Sequence, residues 1–220
     1  MARYLNNAEF IESVEAEAQL IIDYFDHTPR RFLGIGVGNI YDHLFPLLSG
    51  NWTGIYCEPN PMDCAKIITD CEKFCVNGVP IENRVTILNT GVMASSGLKT
   101  MYVVINNTCT SSFDPVFVLE NPGNKSSPIV KKIIVNTIGA NELIDYVGTD
   151  IDLINIDAEM SDSEIVIHLP WKKLNRCRMV IVEEINNAAK KILADNNFVI
   201  HTKTFDKIKS NNTVYIRELT

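Results

Sequence analysis

Hydrophobic positions follow two patterns along this chain: short apolar runs, which predict strands, and apolar residues at helical spacing, which predict helices. Short apolar runs bounded by turn residues predict strands. They cover Phe32–Ile35, Thr53–Cys57, Val85–Leu88, Lys99–Ile105, Lys131–Ile138, Ile151–Ile156, Met179–Val182, Phe198–Phe205 and Thr213–Arg217. Apolar residues at helical spacing predict helices over 6–26, Ile40–Leu48, a segment from Asn60 towards Gly78, Asn141–Tyr146, Asp162–Leu169 and Asn187–Asp195.

Two helix starts carry extra signals. Asn60 is a capping residue followed by Pro61 at the first helical position, and Asp63 complements the helix dipole. Ser161 stands three residues before Glu164, which is the spacing of a capping box.

The order of elements predicts the fold class. Strands alternate with helices until a terminal hairpin, whose turn is predicted at Lys209–Asn212. This order predicts a single α/β domain over 1–220, with a doubly wound, Rossmann-like, mostly parallel seven-stranded sheet and helices on both faces. One antiparallel strand is expected at the C-terminal end. Residues 106–128 are predicted to be a long, mobile loop that contributes to an acceptor pocket.

Composition narrows the classes of partner. The net charge is −7 and the basic residues do not cluster beyond pairs, which argues against a nucleic-acid or anionic-membrane surface. No apolar run reaches transmembrane length, and the first residues lack the apolar core of a signal peptide. The six cysteines include no C-x-x-C pair, so reduced, packed thiols are expected rather than a metal site. A cytoplasmic location is the expectation.

The stretch from Phe32 to Glu58 has the pattern of a nucleoside-binding βαβ unit. The first strand leads into a turn containing Gly34, Gly36, Gly38 and Asn39, and Glu58 follows the second strand. Glycines let the backbone approach a ligand closely. An acid about twenty residues beyond such a turn can accept hydrogen bonds from ribose hydroxyls.

The pattern leaves the nucleoside open between a dinucleotide and S-adenosylmethionine. A dinucleotide fingerprint expects Gly or Ala where this chain has Asn39. S-adenosylmethionine carries no phosphate and needs only the close backbone approach and the ribose acid.

Three acids follow two of the predicted central strands. Asp157 and Glu159 come after Ile151–Ile156, and Glu183 comes after Met179–Val182. Ligands of open α/β sheets bind outside the carboxyl ends of the strands. Carboxylates there could orient an acceptor hydroxyl, remove its proton, or hold a divalent cation. Alternatively, the first two acids only complement the following helix N-terminus.

Five segments together resemble class I methyltransferases, and within them the FkbM-like family. They read FLGIGVGN, GIYCEPNP, VTILNTGVMASSG, IDLINIDAEMSDSEIV and MVIVEEI, and they cover most of the chain from Phe32 to Ile185. The resemblance departs from the usual pattern at Gly34, where an acid is usual, at Ile40, where a glycine is usual, and at Met160, where a glycine is common.

This resemblance implies S-adenosylmethionine as cofactor and methylation, mostly at oxygen, of small hydroxylated acceptors such as sugars or natural products. Taken with the strand-end positions, it gives expected cofactor contacts from Gly34, Gly36, Gly38, Asn39, Glu58, Asn89, Gly91 and Asp157, while the strand-end positions alone suggest catalytic roles for Asp157, Glu159 and Glu183. A divalent cation stays an alternative to direct base catalysis, and a homodimer is compatible with the chain.

Two other functions remain as alternatives. An NAD-binding oxidoreductase would share the βαβ unit, but the chain shows no Tyr-x-x-x-Lys signature. A non-catalytic nucleoside-binding module would follow if the missing acid at Gly34 had abolished turnover.

Overall fold

The computed structural model describes residues 7–38, 44–73, 75–76, 79–121, 124, 128–183, 185–201 and 212–218. The strands are β1 (Arg31–Ile35), β2 (Thr53–Cys57), β3 (Cys75–Val76), β4 (Val79–Pro80), β5 (Val85–Leu88), β6 (Gly91–Met93), β7 (Gly97–Val104), β8 (Val130–Gly139), β9 (Leu153–Ile156), β10 (Met179–Val182), β11 (Phe198–Ile200) and β12 (Thr213–Arg217). The α-helices are α1 (Asn7–Tyr24), α2 (Phe45–Ser49), α3 (Pro61–Lys73), α4 (Pro115–Glu120), α5 (Ala140–Val147), α6 (Asp162–His168) and α7 (Asn187–Asp195). Single 3₁₀ turns lie at Ile81–Asn83 and Thr108–Thr110. Nothing in the described part of the chain is a helix both long and apolar enough to cross a bilayer.

The main sheet has seven strands in the order β11-β12-β10-β9-β1-β2-β5. The strands from β10 to β5 run parallel, and β12 is antiparallel to both β10 and β11. This arrangement confirms the predicted doubly wound, mostly parallel sheet with a C-terminal antiparallel strand. All parallel strands therefore end at one edge, where the residues after β1, β2 and β9 meet.

Successive side chains of the strands point to opposite faces of the sheet, and each face packs into its own hydrophobic core. Leu33 and Ile35 of β1 pack in one cluster with α5, α6 and α7, while Phe32 packs in the other with α1, α2 and α3. Every residue of β9 and β10 is buried, as the continuous apolar runs predict for central parallel strands. The two cores fix the carboxyl edge on which the site is built.

A second, three-stranded sheet was not predicted. Its order is β6-β8-β7, with β8 parallel to β6 and antiparallel to β7. The sequence predicts both long strands but not their partner β6, because Gly91–Met93 is too short to give a periodic signal.

The segment joining β7 to β8, residues 106–128, is called the insertion here. Its prediction as mostly loop is wrong in the described residues, since they contain the turn Thr108–Thr110 and helix α4. Asp114 caps α4 by accepting from the Val116 and Phe117 amides, and Pro115 occupies the first position. These signals stand in the sequence, but they mark a helix too short to show periodicity.

The predicted capping box at Ser161 is not formed. The Ser161 side chain makes no cap hydrogen bond. The Glu164 carboxylate instead accepts from the Ala94 amide at 3.0 Å, and so connects α6 to the second sheet. A tertiary contact replaces the local one that the spacing suggests.

Two predicted elements lie partly outside the described residues. The predicted helix Ile40–Leu48 is described from Leu44 onward, where α2 begins at Phe45. Of the predicted strand Phe198–Phe205, the structure describes β11 and His201, and most of the turn Lys209–Asn212 also lies outside the described ranges.

Candidate functional site

The glycine turn packs directly against the end of β9. Gly36 has a φ of +76°, and a Cβ added there would lie 1.9 Å from the carbonyl oxygen of Asp157. Its amide donates to the Cys57 carbonyl at 3.0 Å, at the end of β2. Gly38 has a φ of +60°, and an added Cβ would meet no atom within 4 Å. The turn is therefore fixed at Gly36 and leaves open space beside Gly38.

Glu58 is the first residue after β2, and its buried carboxylate is held by two backbone donors. Oε2 accepts from the Gly38 amide at 2.8 Å, and Oε1 accepts from the Asn60 amide at 2.7 Å. Each oxygen keeps a further lone pair for another donor. Burial raises the pKa of Glu58 to about 7, against the opposing effect of those two hydrogen bonds. The carboxylate lies where the sequence places a ribose acceptor.

Asn60 and Asp63, two buried residues at the start of α3, connect Glu58 to the insertion through hydrogen bonds. The Asn60 amide group donates to Oδ2 of Asp63 at 2.5 Å, and the Thr108 hydroxyl donates to Oδ1 at 3.0 Å. Burial raises the pKa of Asp63, and the hydrogen bonds from Thr108 and Asn60 oppose that rise. Asn60 is the predicted helix cap, but its link to Glu58 and the insertion has no signal in the sequence.

The residues after β5 contact the end of β2. Asn89 donates from its side-chain amide to the carbonyls of Glu58 at 2.8 Å and Pro59 at 3.2 Å. Gly91 begins β6, and a Cβ there would lie 2.7 Å from the Phe113 ring. Packing is thus sufficient to explain Gly91, and the adenine contacts expected of Asn89 and Gly91 stay predictions.

Gly34 lies within β1, packed against the core. A Cβ at Gly34 would lie 2.9 Å from both Leu44 Cδ1 and Tyr56 Cδ1. The glycine makes room for the Tyr56 ring at the position where the resembled family usually carries an acid. Its expected cofactor contact stays a prediction, and that of Asn39 falls outside the described residues.

The three predicted catalytic acids follow β9 and β10, and a fourth acid, Asp162, begins α6. We call Asp157, Glu159, Asp162 and Glu183 the acidic cluster. Burial, followed by the negative charges of Asp157, Glu183 and Asp162, raises the pKa of Glu159 to about 9. Because β9 and β10 pair in parallel, with Ile156 opposite Val182, the residues that follow them lie at the same edge of the sheet, and the catalytic role of the acids stays a prediction.

Asp162 is the member of the cluster that sequence reasoning missed. Its Oδ1 accepts from the Ala158 amide at 2.7 Å, across the turn that follows β9. Burial raises its pKa to about 7, and the charge of Glu183 adds to the rise while the Ala158 hydrogen bond opposes it. The sequence shows Asp162 only as a helix-start acid, because its burial depends on the tertiary fold.

The turn after β9 is also held from the insertion. Glu159 and Met160 have φ values of +43° and +81°, which non-glycine residues rarely adopt. The buried Ser112 hydroxyl donates to the Glu159 carbonyl at 2.6 Å and accepts from the Asp114 amide at 3.0 Å. Ser112 thus acts on the backbone of the acidic turn, while Ser111 accepts from the Val104 amide instead.

The acids do not form a metal-binding group. Among the residues that the structure describes, no three His, Cys, Asp or Glu side chains converge closely enough to hold a metal ion. The donor geometry therefore gives the divalent-cation alternative no support.

Comparison with solved structures places this fold among methyltransferases. Magnesium protoporphyrin IX methyltransferase (ChlM) from Synechocystis PCC 6803 with bound SAM matches at 12% identity and a TM-score of 0.52, over 99% of this chain and 87% of that chain. The same enzyme with bound SAH matches at 10% identity and a TM-score of 0.52, over 99% and 90% of the two chains.

The FkbM-like family is not distinguished by these likenesses. Methyltransferase FkbM from Methylobacillus flagellatus KT matches at 10% identity and a TM-score of 0.49, over 86% of this chain and 43% of that chain. No model of a protein family matches the sequence, and no curated protein matches it. The comparisons thus show that this chain has the class I methyltransferase fold.

Proposed function

We propose that this chain is an S-adenosylmethionine-dependent methyltransferase that methylates oxygen on a small hydroxylated acceptor, such as a sugar or natural product. One observation carries the proposal. The Glu58 carboxylate, at the end of β2, is fixed by the Gly38 and Asn60 amides beside a glycine turn that leaves open space. The neighbouring fold, whose ChlM representatives hold SAM and SAH, supports the same cofactor.

The residues present fit a nucleoside. Glu58 retains lone pairs for two ribose hydroxyls, and Gly38 places no side chain in the adjoining space. Asp157 lies at the end of β9, next to Gly36, so its position suits the other end of the same ligand. When bound, S-adenosylmethionine would supply an electrophilic methyl group on sulfur.

The acidic cluster supplies the proton acceptor for the proposed reaction. An acceptor hydroxyl is a poor nucleophile at neutral pH, so a base must take its proton as the oxygen attacks. Burial and the negative charges of its neighbours oppose the ionisation of Glu159, so this side chain retains a proton more readily than an ordinary glutamate. Because the pKa of Glu159 is raised to about 9, this side chain is mostly protonated at neutral pH, and only its small ionised fraction is a stronger base than an ordinary glutamate. We assign Asp157, Glu159 and Glu183 this role, with Ser112 fixing the turn that presents Glu159.

A thermal-shift panel separates this proposal from its alternatives. S-adenosylhomocysteine at millimolar concentration should raise the midpoint, because a ligand that binds only the folded state stabilises it. NAD and NADP should have no effect. A shift with NAD alone would favour the oxidoreductase, and no shift with any of the three would remove the nucleoside site.

One observation favours a second candidate, a nucleoside-binding module without turnover. Gly34 provides no acid where the resembled family usually has one, and Tyr56 and Leu44 occupy the adjoining space. S-adenosylhomocysteine binding together with no methyl transfer to any hydroxylated acceptor in a broad panel would support this candidate.

A further inference from the structure

The start of α3 departs from the usual capping box in one respect. In such a box, the side chain of the third helical residue accepts from the backbone amide of the capping residue. Here that backbone amide, on Asn60, donates to Glu58 at 2.7 Å. Asp63, the third residue of α3, accepts from the Asn60 side chain at 2.5 Å instead. The helix start therefore leaves the Asn60 amide to Glu58.

Asn60 cannot turn away from Glu58 without losing several contacts. It is 1% exposed, its Oδ1 accepts from the Met62 amide at 3.2 Å, and its carbonyl accepts from the Cys64 amide at 2.9 Å. Asp63 holds the remaining polar group of this side chain, and Thr108 holds the other oxygen of Asp63. By holding the Asn60 side chain in place, Asp63 thus helps to fix the direction of the Asn60 backbone amide.

Charge does not explain a carboxylate at position 63. The negative charge of Asp63 adds to the burial that raises the pKa of Glu58, so the two groups repel each other. A second carboxylate beside a buried one is unfavourable unless it makes contacts that a neutral residue cannot make. Asp63 accepts from Asn60 through one carboxylate oxygen and from Thr108 through the other, and an acceptor-only side chain satisfies both donors.

We propose that Asp63 is a positioning residue for the ribose acid, acting through Asn60 to aim the Glu58 carboxylate, and that Thr108 extends this link to the insertion. The identity of the ligand rests on the proposed function. The consequence is specific: loss of Asp63 should weaken the interaction with ribose hydroxyls and spare the rest of the nucleoside.

Calorimetry with two ligands tests this consequence. S-adenosylhomocysteine and its 2′,3′-dideoxy analogue are titrated into wild type, Asp63→Ala and Asp114→Ala. Asp63→Ala should weaken the first ligand by about five- to tenfold and the analogue by less than about twofold, since only the first can report hydrogen bonds to Glu58. Asp114→Ala removes a comparable helix cap, that of α4, and should change the affinity for both ligands equally and only slightly. Equal weakening of the two ligands by Asp63→Ala would overturn the inference.

A threonine pair tests the link to the insertion. Thr108→Val removes the hydroxyl that donates to Asp63 at nearly constant shape, and should weaken S-adenosylhomocysteine about two- to threefold, with the analogue unaffected. Thr110→Val is the matched control, because its hydroxyl bonds to Asn107 and Asn124 instead. If both valine variants weaken binding alike, Thr108 has no particular role.

A ligand-free measurement keeps the inference testable if the proposed function fails. By NMR, amide exchange at Asn60 should be faster in Asp63→Ala than in wild type and unchanged in Asp114→Ala. Asp63→Asn serves if the alanine variant does not fold, because asparagine cannot accept from both neighbours through two oxygens. Unchanged Asn60 exchange in a folded Asp63 variant would refute the positioning role, whereas absence of ligand binding to wild type would refute only the proposed function.

Discussion

At the scale of single residues, Glu58 is the side chain on which the cofactor assignment depends. Glu58→Ala should weaken S-adenosylhomocysteine binding by roughly 1.5–3 kcal/mol, the range for hydrogen bonds to a charged group. The fold should persist, because the side chain lies at a strand end. Titration calorimetry measures the change, with the exposed Glu120→Ala as control. Unchanged affinity in the Glu58 variant would mean that the ribose is held elsewhere.

The acidic cluster should make stability depend on pH. The pKa of Glu159 rises from 4.5 to about 9 in the fold, so its stabilising contribution is complete below about pH 4.5 and is lost as the pH approaches 9. Ionisation of Glu159 should therefore lower the unfolding temperature of the wild type between pH 5 and pH 9. In Glu159→Gln, which cannot ionise at this position, the change between the two pH values should be more favourable by about 2–4 °C. Calorimetric melting at the two pH values checks it, with Glu120→Gln as control. A variant whose melting temperature keeps the wild-type pH dependence would contradict the like-charge environment.

Asp157 should matter to turnover more than to affinity. Asp157→Asn keeps the shape of the side chain but removes a base, so methyl transfer should fall by about 10²-fold or more, a far larger factor than the loss of S-adenosylhomocysteine affinity. Single-turnover assays with hydroxylated acceptors measure the rate. Chelator treatment decides the cation alternative, because activity lost with chelator and restored by Mg²⁺ would replace the base with a metal.

At the scale of elements, the insertion joins the two sides of the site. The Thr108 hydroxyl donates a hydrogen bond to Asp63, near Glu58. The Ser112 hydroxyl donates one to the Glu159 carbonyl, in the turn after β9. Glu58 and Glu159 follow β2 and β9, which flank β1 and its glycine turn. The insertion therefore contacts the carboxyl edge on both sides of the glycine turn, and its mobility and its part in an acceptor pocket stay predictions.

Ser112 gives a test of that element. Ser112→Ala should speed hydrogen exchange in residues 108–114 and in the turn after β9, because both lose a shared buried hydrogen bond. Ser111→Ala, a buried neighbour bonded to Val104, should leave exchange at the acidic turn unchanged. Mass spectrometry measures the exchange. Equal exchange rates at the acidic turn in the two variants would argue against a specific connection through Ser112.

The elements differ in how far the sequence predicts them. Strands β2, β5 and β10 match their predicted bounds, and β10 is an apolar run buried along its whole length, as expected of a central parallel strand. The short elements β6 and α4 were missed, since each is too short for a period to show. The Ser161 box failed because Glu164 has a tertiary partner in Ala94.

The site shows the same division. Glu58 and the three acids at strand ends are predictable, because topology alone brings the ends of parallel strands together. Asp63, Thr108 and Asp162 are not, because their roles depend on contacts between segments far apart in the chain. Gly34 and Gly91 look alike in the sequence to Gly36, yet packing against Tyr56 and Phe113 is enough to explain them.

At the scale of the whole molecule, the sheet order brings the glycine turn, Glu58 and the acidic cluster to one edge. A nucleoside held by Glu58 would have its reactive end towards Asp157 and the cluster, with the insertion alongside. The proposed cofactor and the proposed base would therefore lie at the same edge of the sheet, and cofactor binding is the claim on which the rest depends.

Isothermal titration of the wild-type chain with S-adenosylhomocysteine tests that claim most directly. We expect saturable binding at one site per chain, with no heat from NAD under the same conditions. No heat from S-adenosylhomocysteine at millimolar concentration, or saturable binding of NAD in its place, would contradict the assignment of this chain as an S-adenosylmethionine-dependent methyltransferase.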